Sequence, residues 1–378
     1  MKLTIERAAL LKALAHVQSV VERRNTIPIL SNVLISAKDE ALRLSATDLD
    51  MEITDEASAL IDSPGQITAP AHTLYEIVRK LPEGAEVALT FTGDDPRLQV
   101  QAGRYRVNLP VLPAGDFPMM SAEGLSAGMR LEARDLARLI DKTRFAISTE
   151  ETRYYLTGIY LHTVVEDGRE MLRAVATDGH RLALAEMIAP DGAAGAPGVI
   201  VPRKTIQEVR RLIDDGEESV AIHLSPQKVR FDFGRATLTS KVIDGSFPDY
   251  TRVIPRDNSR FMSVDNSLFA AAVDRVATIS SEKSRSVKLS VENGRLTLTV
   301  RNMETGQAVE ELEVDYAADP FEIGFNARYL LDVAGQIDGE MVDFRFAERT
   351  GGQALLDPVL ALDPTDANVQ YVLMPLRA

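Results

Sequence analysis

Three stretches of this 378-residue chain read alike: PAHTLYEIVRKLPEG at 70–84, PRKTIQEVRRLIDDG at 202–216 and FNARYLLDVAGQIDG at 325–339. Each places apolar residues at helical spacing, such as Leu74, Ile77, Val78 and Leu81 in the first. Each closes on a glycine (Gly84, Gly216 or Gly339), the residue that commonly follows a helix C-terminus. A second helical run precedes each one: ERAALLKAL from Glu6, EARDLARLI from Glu132 and DNSLFAAAV from Asp265. All three open on an acidic residue, which suits the positive end of a helix dipole. Helices are therefore expected over 5–21, 70–82, 131–148, 202–213, 264–281 and 325–337.

Ala46-Thr47-Asp48 returns as Ala176-Thr177-Asp178, and Phe117-Pro118 returns at the same spacing as Phe247-Pro248. Between the helices run short alternating segments such as LRLSA, KVRFDF, ATLTSKVI and RLTLTV, which read as antiparallel strands. Asn293-Gly294 marks a hairpin. PDGAAGAPG at 190–198 reads as a flexible loop, and 349–368 as a second excursion. The chain thus divides into three like domains, 1–125, 126–255 and 256–378. Each is α+β: an antiparallel sheet with two helices packed on one face. The period is too long for a solenoid, so three copies imply an arc or part of a closed ring.

Composition narrows the function. There are no cysteines, which removes disulfides, thiolate metal sites and cysteine nucleophiles. No apolar run approaches the length that spans a bilayer. The N-terminal segment is broken by Glu6, Arg7, Lys12 and His16 and makes a poor signal peptide. A soluble cytoplasmic protein without membrane partners is expected.

No enzyme signature emerges. The five histidines form no clustered metal spacing. GVIVPRKT at 198–205 lacks the second glycine of a phosphate loop, because Arg203 stands there. Asp48, Asp50 and Glu52 alternate along a strand, a pattern that reads as a solvated face before it reads as a metal site. His180 with Asp178 reads as a turn that anchors a junction or a partner rather than as an acid–base pair. No catalytic residue, metal or cofactor is expected.

Charge is segregated by element. The chain carries a net −14, yet the predicted helices sum to a positive charge, most strongly over 202–213. Acidic strands around basic helices suit a duplex held by its phosphates without sequence reading. The basic helical residues include Arg7, Lys12, Arg79, Lys80, Arg134, Arg138, Lys142, Arg144, Arg203, Lys204, Arg210, Arg211, Arg275 and Arg328.

With these residues in view, the chain resembles the bacterial sliding-clamp family, the beta subunit of the replicative DNA polymerase III holoenzyme. The resemblance covers essentially the whole length. It is carried by TIPIL with Arg24 before it, ATDLDMEI, LPEGAE, RYYLTG, ATDGHRLA, VPRK, FPDY, EIGFNARYLLDV and VLMPLR. It implies a DNA clamp fold in a head-to-tail homodimeric ring, helices inside and sheets outside. The ring would encircle double-stranded DNA as a processivity factor. It would tether the polymerase III alpha subunit and the peptide motifs of other polymerases and repair proteins, and a separate clamp loader would open it.

Residue by residue, the resemblance places DNA contacts at Arg24, Arg203 and Lys204, to which the helix charges add Arg79, Lys80, Arg138, Lys142 and Arg210. Acidic Glu150 and Glu151 stand in the loop that meets DNA in the family. A partner pocket between the second and third domains is implied at Arg153, Tyr155, Leu156, Thr177, Gly179, His180, Arg181, Leu182, Pro248, Val253, Asn326, Tyr329, Val372, Met374, Pro375, Leu376 and Arg377. Within it, His180, Arg181 and Arg377 would orient a peptide's polar groups. At the ring joint, Arg104 and Arg106 on one strand face are expected to meet Glu310, Glu311 and Glu313, near Thr278 and Ile279. Two other readings stand beside the clamp: a scaffold of the same fold with altered partners, and an enzyme on a repeated α+β fold.

Overall fold

Six α-helices form among the described residues: α1 (Arg7–Gln18), α2 (Ala71–Lys80), α3 (Ala133–Asp141), α4 (Arg203–Ile213), α5 (Asn266–Ala277) and α6 (Ala327–Ala334). The computed structural model describes residues 1–93, 95–121, 123–125, 127–213, 218–280, 285–348 and 356–376. Gly216 and Arg377 lie outside the described residues. The expectation for 131–148 overshoots. Thr143 Oγ1 donates to the Leu139 carbonyl at 2.6 Å, a side-chain bond that competes with the helical ladder, and a 3-10 turn follows at Arg144–Ala146.

Of the closing glycines, neither Gly84 nor Gly339 caps its helix. α2 ends at Lys80 because Pro82, two residues on, has no N–H to extend the ladder. Gly84 supplies a positive φ of 71° in the turn beyond. α6 is capped by Gly335, and Gly339 sits in a later turn, where a Cβ would press 2.9 Å from Thr365 Cγ2. The acidic openers also differ in role. Asp265 accepts from the Leu268 N–H at 2.9 Å, which holds its carboxyl below the usual range, whereas Glu6 makes no side-chain cap.

The chain gathers into two compact units, 1–137 with 190–242, and 138–189 with 243–378. In the first, one antiparallel sheet runs Leu60–Ser63, Lys2–Glu6, Glu86–Thr90, Arg97–Ala102, Tyr105–Pro110. The other runs Ala127–Glu132, Ser219–Leu224, Lys228–Asp232, Ala236–Lys241, Met51–Ser58, Ala41–Thr47, Asn32–Lys38, Gly65–Pro70. This second sheet fuses two sequence repeats, with Leu238 opposite Ile53. Strand alternation puts Val87, Leu89, Leu98 and Val100 of the first sheet, and Ile53, Phe231 and Leu238 of the second, out of water. The 190–198 loop belongs here and is largely exposed, but it is pinned at one point: Ala193 is fully buried, and Gly192, at φ 85°, leaves no room for a Cβ beside the Gly128 carbonyl.

In the second unit, strands follow the order Gly158–Glu166, Arg169–Thr177, Arg181–Ile188, Asp366–Leu373, Val359–Asp363, Met341–Phe346, Arg260–Asp265. Leu182 stands opposite Val372, so two repeats are again fused edge to edge. A four-stranded sheet runs Gly306–Glu313, Arg295–Asn302, Ser286–Glu292, Phe321–Asn326. Within the expected excursion at 349–368, strands 359–363 and 366–373 make a hairpin instead. Continuous sheets across repeat boundaries explain why the compact units divide the second repeat.

Candidate partner pocket and basic surface

The recurring Ala-Thr-Asp segment is one turn built twice. Thr177 Oγ1 donates to the Arg181 carbonyl at 2.7 Å and accepts from the Gly179 N–H at 3.1 Å. Asp178 Oδ1 accepts from the N–H groups of His180 and Arg181 at 2.9 and 3.0 Å. Thr47 and Asp48 make the same bonds to Met51, Leu49 and Asp50. Both turns need a positive φ, at Gly179 (87°) and Leu49 (78°). Glycine takes that conformation freely, whereas a leucine there costs about 1–2 kcal/mol.

Beside the second turn lies a cavity of about 360 Å³ lined by Arg153, Tyr155, Leu156, Thr177, Gly179, Arg181, Leu182, Pro248, Tyr250, Val253, Val372 and Met374. All belong to one compact unit. The floor is Leu182, Val372 and Tyr250, part of a buried cluster with Val175, Leu184 and Leu360. Leu156 is buried at the end of the 3-10 turn Glu151–Leu156. Val253 remains 39% exposed at the mouth. An apolar floor with a few polar groups at its margin suits a short peptide.

Of the expected pocket residues, His180, Asn326, Tyr329, Pro375 and Leu376 are not in this lining, whereas Arg181 and Met374 are. His180 stacks on Tyr329 at 6.2 Å. Asn326 caps α6 by accepting from the Arg328 N–H at 3.0 Å. Leu376 is tied to Gly324 through a 2.8 Å backbone bond, with Pro375 preceding it. Met374 is anchored by its N–H on the His180 carbonyl at 2.9 Å. Arg181 departs from its expected role. It is 8% exposed, and its guanidinium is engaged by Asp178 at 3.2 Å, by Asp332 and by the Phe145 carbonyl at 2.7 Å, with the Tyr329 ring 4.5 Å away. It lines the cavity with its guanidinium nitrogens already bonded within the protein. Tyr250, quoted in FPDY yet absent from the expected pocket, belongs to its floor.

Under the floor, Tyr250 Oη lies 2.9 Å from His162 Nε2, and the imidazole stacks on Tyr160 at 4.1 Å. Burial, aided by the charge of Arg173, lowers the His162 pKa to about 4, so the ring is neutral. Arg173 in turn donates to Glu186 at 2.5 Å.

The first repeat differs at one position of this floor. At the position matching Leu182 stands Glu52, 7% exposed, whose carboxylate accepts from the Met120 N–H at 2.8 Å. Burial raises its pKa despite that bond. A carboxylate replaces the leucine, and it clasps its own chain.

The expected DNA contacts separate into two groups. Arg24, Arg203, Arg79 and Lys80 are exposed. Arg79 pairs with Glu76 at 2.7 Å and Lys80 with the same carboxylate at 3.8 Å. Arg210 is half-buried on α4. Lys204 is 41% exposed on its side chain. Partial burial opposes its charge, but Asp48 at 2.5 Å and Glu22 at 3.6 Å raise its pKa above the usual value. Arg138 and Lys142 turn inward. Arg138 binds Asp366 at 2.5 Å, and Lys142, 9% exposed on its side chain, holds Asp338 at 2.8 Å and the Gln336 carbonyl. Lys142 is therefore a buried strut and not the outward phosphate contact the helix charge suggested.

The charged residues expected at a ring joint lie on or beside two sheet edges. Tyr105–Pro110 borders the five-stranded sheet and Gly306–Glu313 the four-stranded one. Arg104 sits in the hairpin turn before its strand, while Arg106 is exposed within it. The three glutamates do not share a face. Glu310 points to α5, where it pairs with Arg275, and Glu311 and Glu313 alternate to the other side. Thr278 caps α5, and the Ile279 carbonyl accepts from Thr305 Oγ1 at 2.7 Å and Asn302 Nδ2 at 3.0 Å.

Like α+β repeats fused through continuous antiparallel sheets, with a net positive charge on the helices of a net-negative chain, define a three-domain DNA clamp. Family models agree along the chain: the N-terminal, central and C-terminal domains of the DNA polymerase III beta subunit match residues 1–121, 130–249 and 251–377. A beta sliding clamp of Caulobacter vibrioides is 72% identical over 377 residues, covering both chains fully, and that of Escherichia coli K12 is 38% identical over 380. Among solved structures, the Caulobacter crescentus pol III beta chain superposes with a TM-score of 0.95 at 71% identity, each chain fully covered. A Bartonella birtlesii sliding clamp bound to griselimycin does so at 0.95 and 47%, again over both full chains. The chain belongs to the DNA polymerase III beta subunit family, the sliding clamps. It is a non-catalytic processivity factor of DNA replication. Among the described residues no helix is long and apolar enough to cross a membrane.

Proposed function

We propose that two copies close head to tail into a ring around duplex DNA, with domains near 1–125, 126–255 and 256–378, and that the Leu182–Val372 cavity captures partner peptides. The observation that carries the ring is a join used twice within the chain. The strand after the Ala-Thr-Asp turn pairs with the last strand of the next repeat: Met51–Ser58 with Ala236–Lys241, and Arg181–Ile188 with Asp366–Leu373. The corresponding strands left over are Gly306–Glu313 and Tyr105–Pro110, each on an open edge, and proteins rarely leave such edges bare. Carried over through the hairpin registers, the same join sets Ala308 opposite Val107 and Glu311 opposite Arg104. The two patches differ, so the contact is heterologous, and it closes at two copies.

A cleft lined by Ile77, Leu81 and Tyr105 flanks that edge and offers apolar area for the neighbouring copy's Ile279. Exposed Arg24, Arg203, Arg79 and Lys80, with Lys204 and Arg210, supply sequence-independent phosphate contacts. The pocket takes peptides with leucine or phenylalanine anchors, as borne by the polymerase III alpha subunit, the clamp loader and other polymerases and repair proteins. A cytoplasmic setting follows from that work. Sedimentation at falling concentration tests the ring: a two-chain mass that splits to one chain supports it, and a monomer at every concentration defeats it.

A further inference from the structure

Two guanidinium groups line the pocket, and the structure gives them different freedom. Arg181 has Nε, Nη1 and Nη2 all bonded within the protein. Arg153 keeps a third of its side chain exposed. Its Nε and Nη2 both meet one oxygen of Glu150, each at 2.8 Å. Its backbone leaves helical geometry, at φ −107° and ψ 53°, inside an otherwise 3-10 turn. Nη1 lies against Gly179, occupying the space a Cβ there would need. The guanidinium is thus fixed on two sides. Glu150 takes one edge and the bare Gly179 backbone seats the other, at the wall of the cavity.

We propose that Glu150 is a positioning and specificity-determining residue of the pocket: it holds Arg153 so that Nη1 serves neutral carbonyl acceptors and disfavours carboxylates. This rests on the peptide-pocket reading above. An ionised acceptor normally gains the stronger hydrogen bond from a guanidinium. Here the positive charge already has its counter-ion, and a peptide carboxylate arriving at Nη1 would face the Glu150 carboxylate across the same group. A backbone carbonyl or a carboxamide meets no such repulsion. Discrimination of this kind works by a repulsive element as much as by an attractive one.

The test uses the full-length protein and two synthetic probes: a short peptide with leucine and phenylalanine anchors preceded by glutamine, and its glutamate counterpart. Affinities are measured by fluorescence anisotropy at low and high salt. The wild-type protein is expected to prefer the glutamine peptide. Glu150→Gln keeps an acceptor for Arg153 but removes the charge. It should tighten the glutamate peptide by about threefold, the scale of an exposed ion pair, make its binding salt-sensitive, and leave the glutamine peptide nearly unchanged. Arg153→Gln should remove the preference. An affinity ratio unaltered by Glu150→Gln overturns this inference while leaving the pocket standing. Failure of both peptides to bind the wild-type protein overturns the pocket reading, and this inference with it.

Discussion

Leu182 stands directly opposite Val372 in the antiparallel ladder that fuses two repeats, and the same two side chains floor the proposed peptide cavity. The residue that joins the domains is therefore also the one a ligand would touch, and mutations there act on both. Met374 separates the roles, since it is only half-buried and held by its backbone.

Leu182→Ala should destabilise the protein by about 2–5 kcal/mol as well as weaken peptide binding. Met374→Ala should cost under about 1 kcal/mol yet still weaken the peptide. Thermal melts beside peptide titrations check the pair. A Met374 variant that melts early but binds normally when folded would remove that residue from the pocket.

The buried strut and the exposed cations should part company on DNA. Lys142→Met keeps the apolar stem and should change stability by less than about 1.5 kcal/mol, with the salt dependence of DNA binding untouched. Arg24→Ala combined with Arg203→Ala should lower the slope of log affinity against log salt by about two, one per phosphate contact. The reverse pattern would reassign the contacts.

His162 gives the fold a pH dependence. The unfolded chain takes up its proton near the ordinary pKa of 6.5, the folded chain only near about 4. Between those values the unfolded state binds more protons, so stability falls as pH falls through the window. The full shift corresponds to about 3 kcal/mol. Denaturant titrations of the wild type and His162→Gln at about pH 7 and about pH 4.5 should show a smaller loss in the variant; equal losses would mean that His162 is not the group responsible.

Repeats, helices and the polarity of each strand were legible because they are local: periodicity in a dozen residues reports a face. Sheet fusion was not, since it depends on which edge meets which over long separations. The same limit explains the inward cations. Arg138 and Lys142 read as basic helical residues, and only tertiary packing brings Asp366 and Asp338 to them. In the pocket, the apolar floor was visible in motif form, whereas Arg181 looked available because its partners Phe145 and Asp332 lie far apart in sequence. Tyr250 was hidden by its polar hydroxyl, which His162 satisfies from beneath.

The ring joint can be tested by charge exchange. Arg104→Glu should shift the two-chain form toward one chain, and adding Glu311→Arg in the same protein should restore it, because the transferred register places the two opposite each other. Sedimentation at low and high salt reads the result, and a double variant no better than the single would refute that register.

Encirclement itself is decided by topology. Clamps loaded on nicked circular DNA should stay bound through a high-salt wash and be released when a restriction enzyme linearises the circle, since direct phosphate contacts are weak and screened. The account predicts retention on the circle and loss from the linear form. Equal retention on both would contradict it.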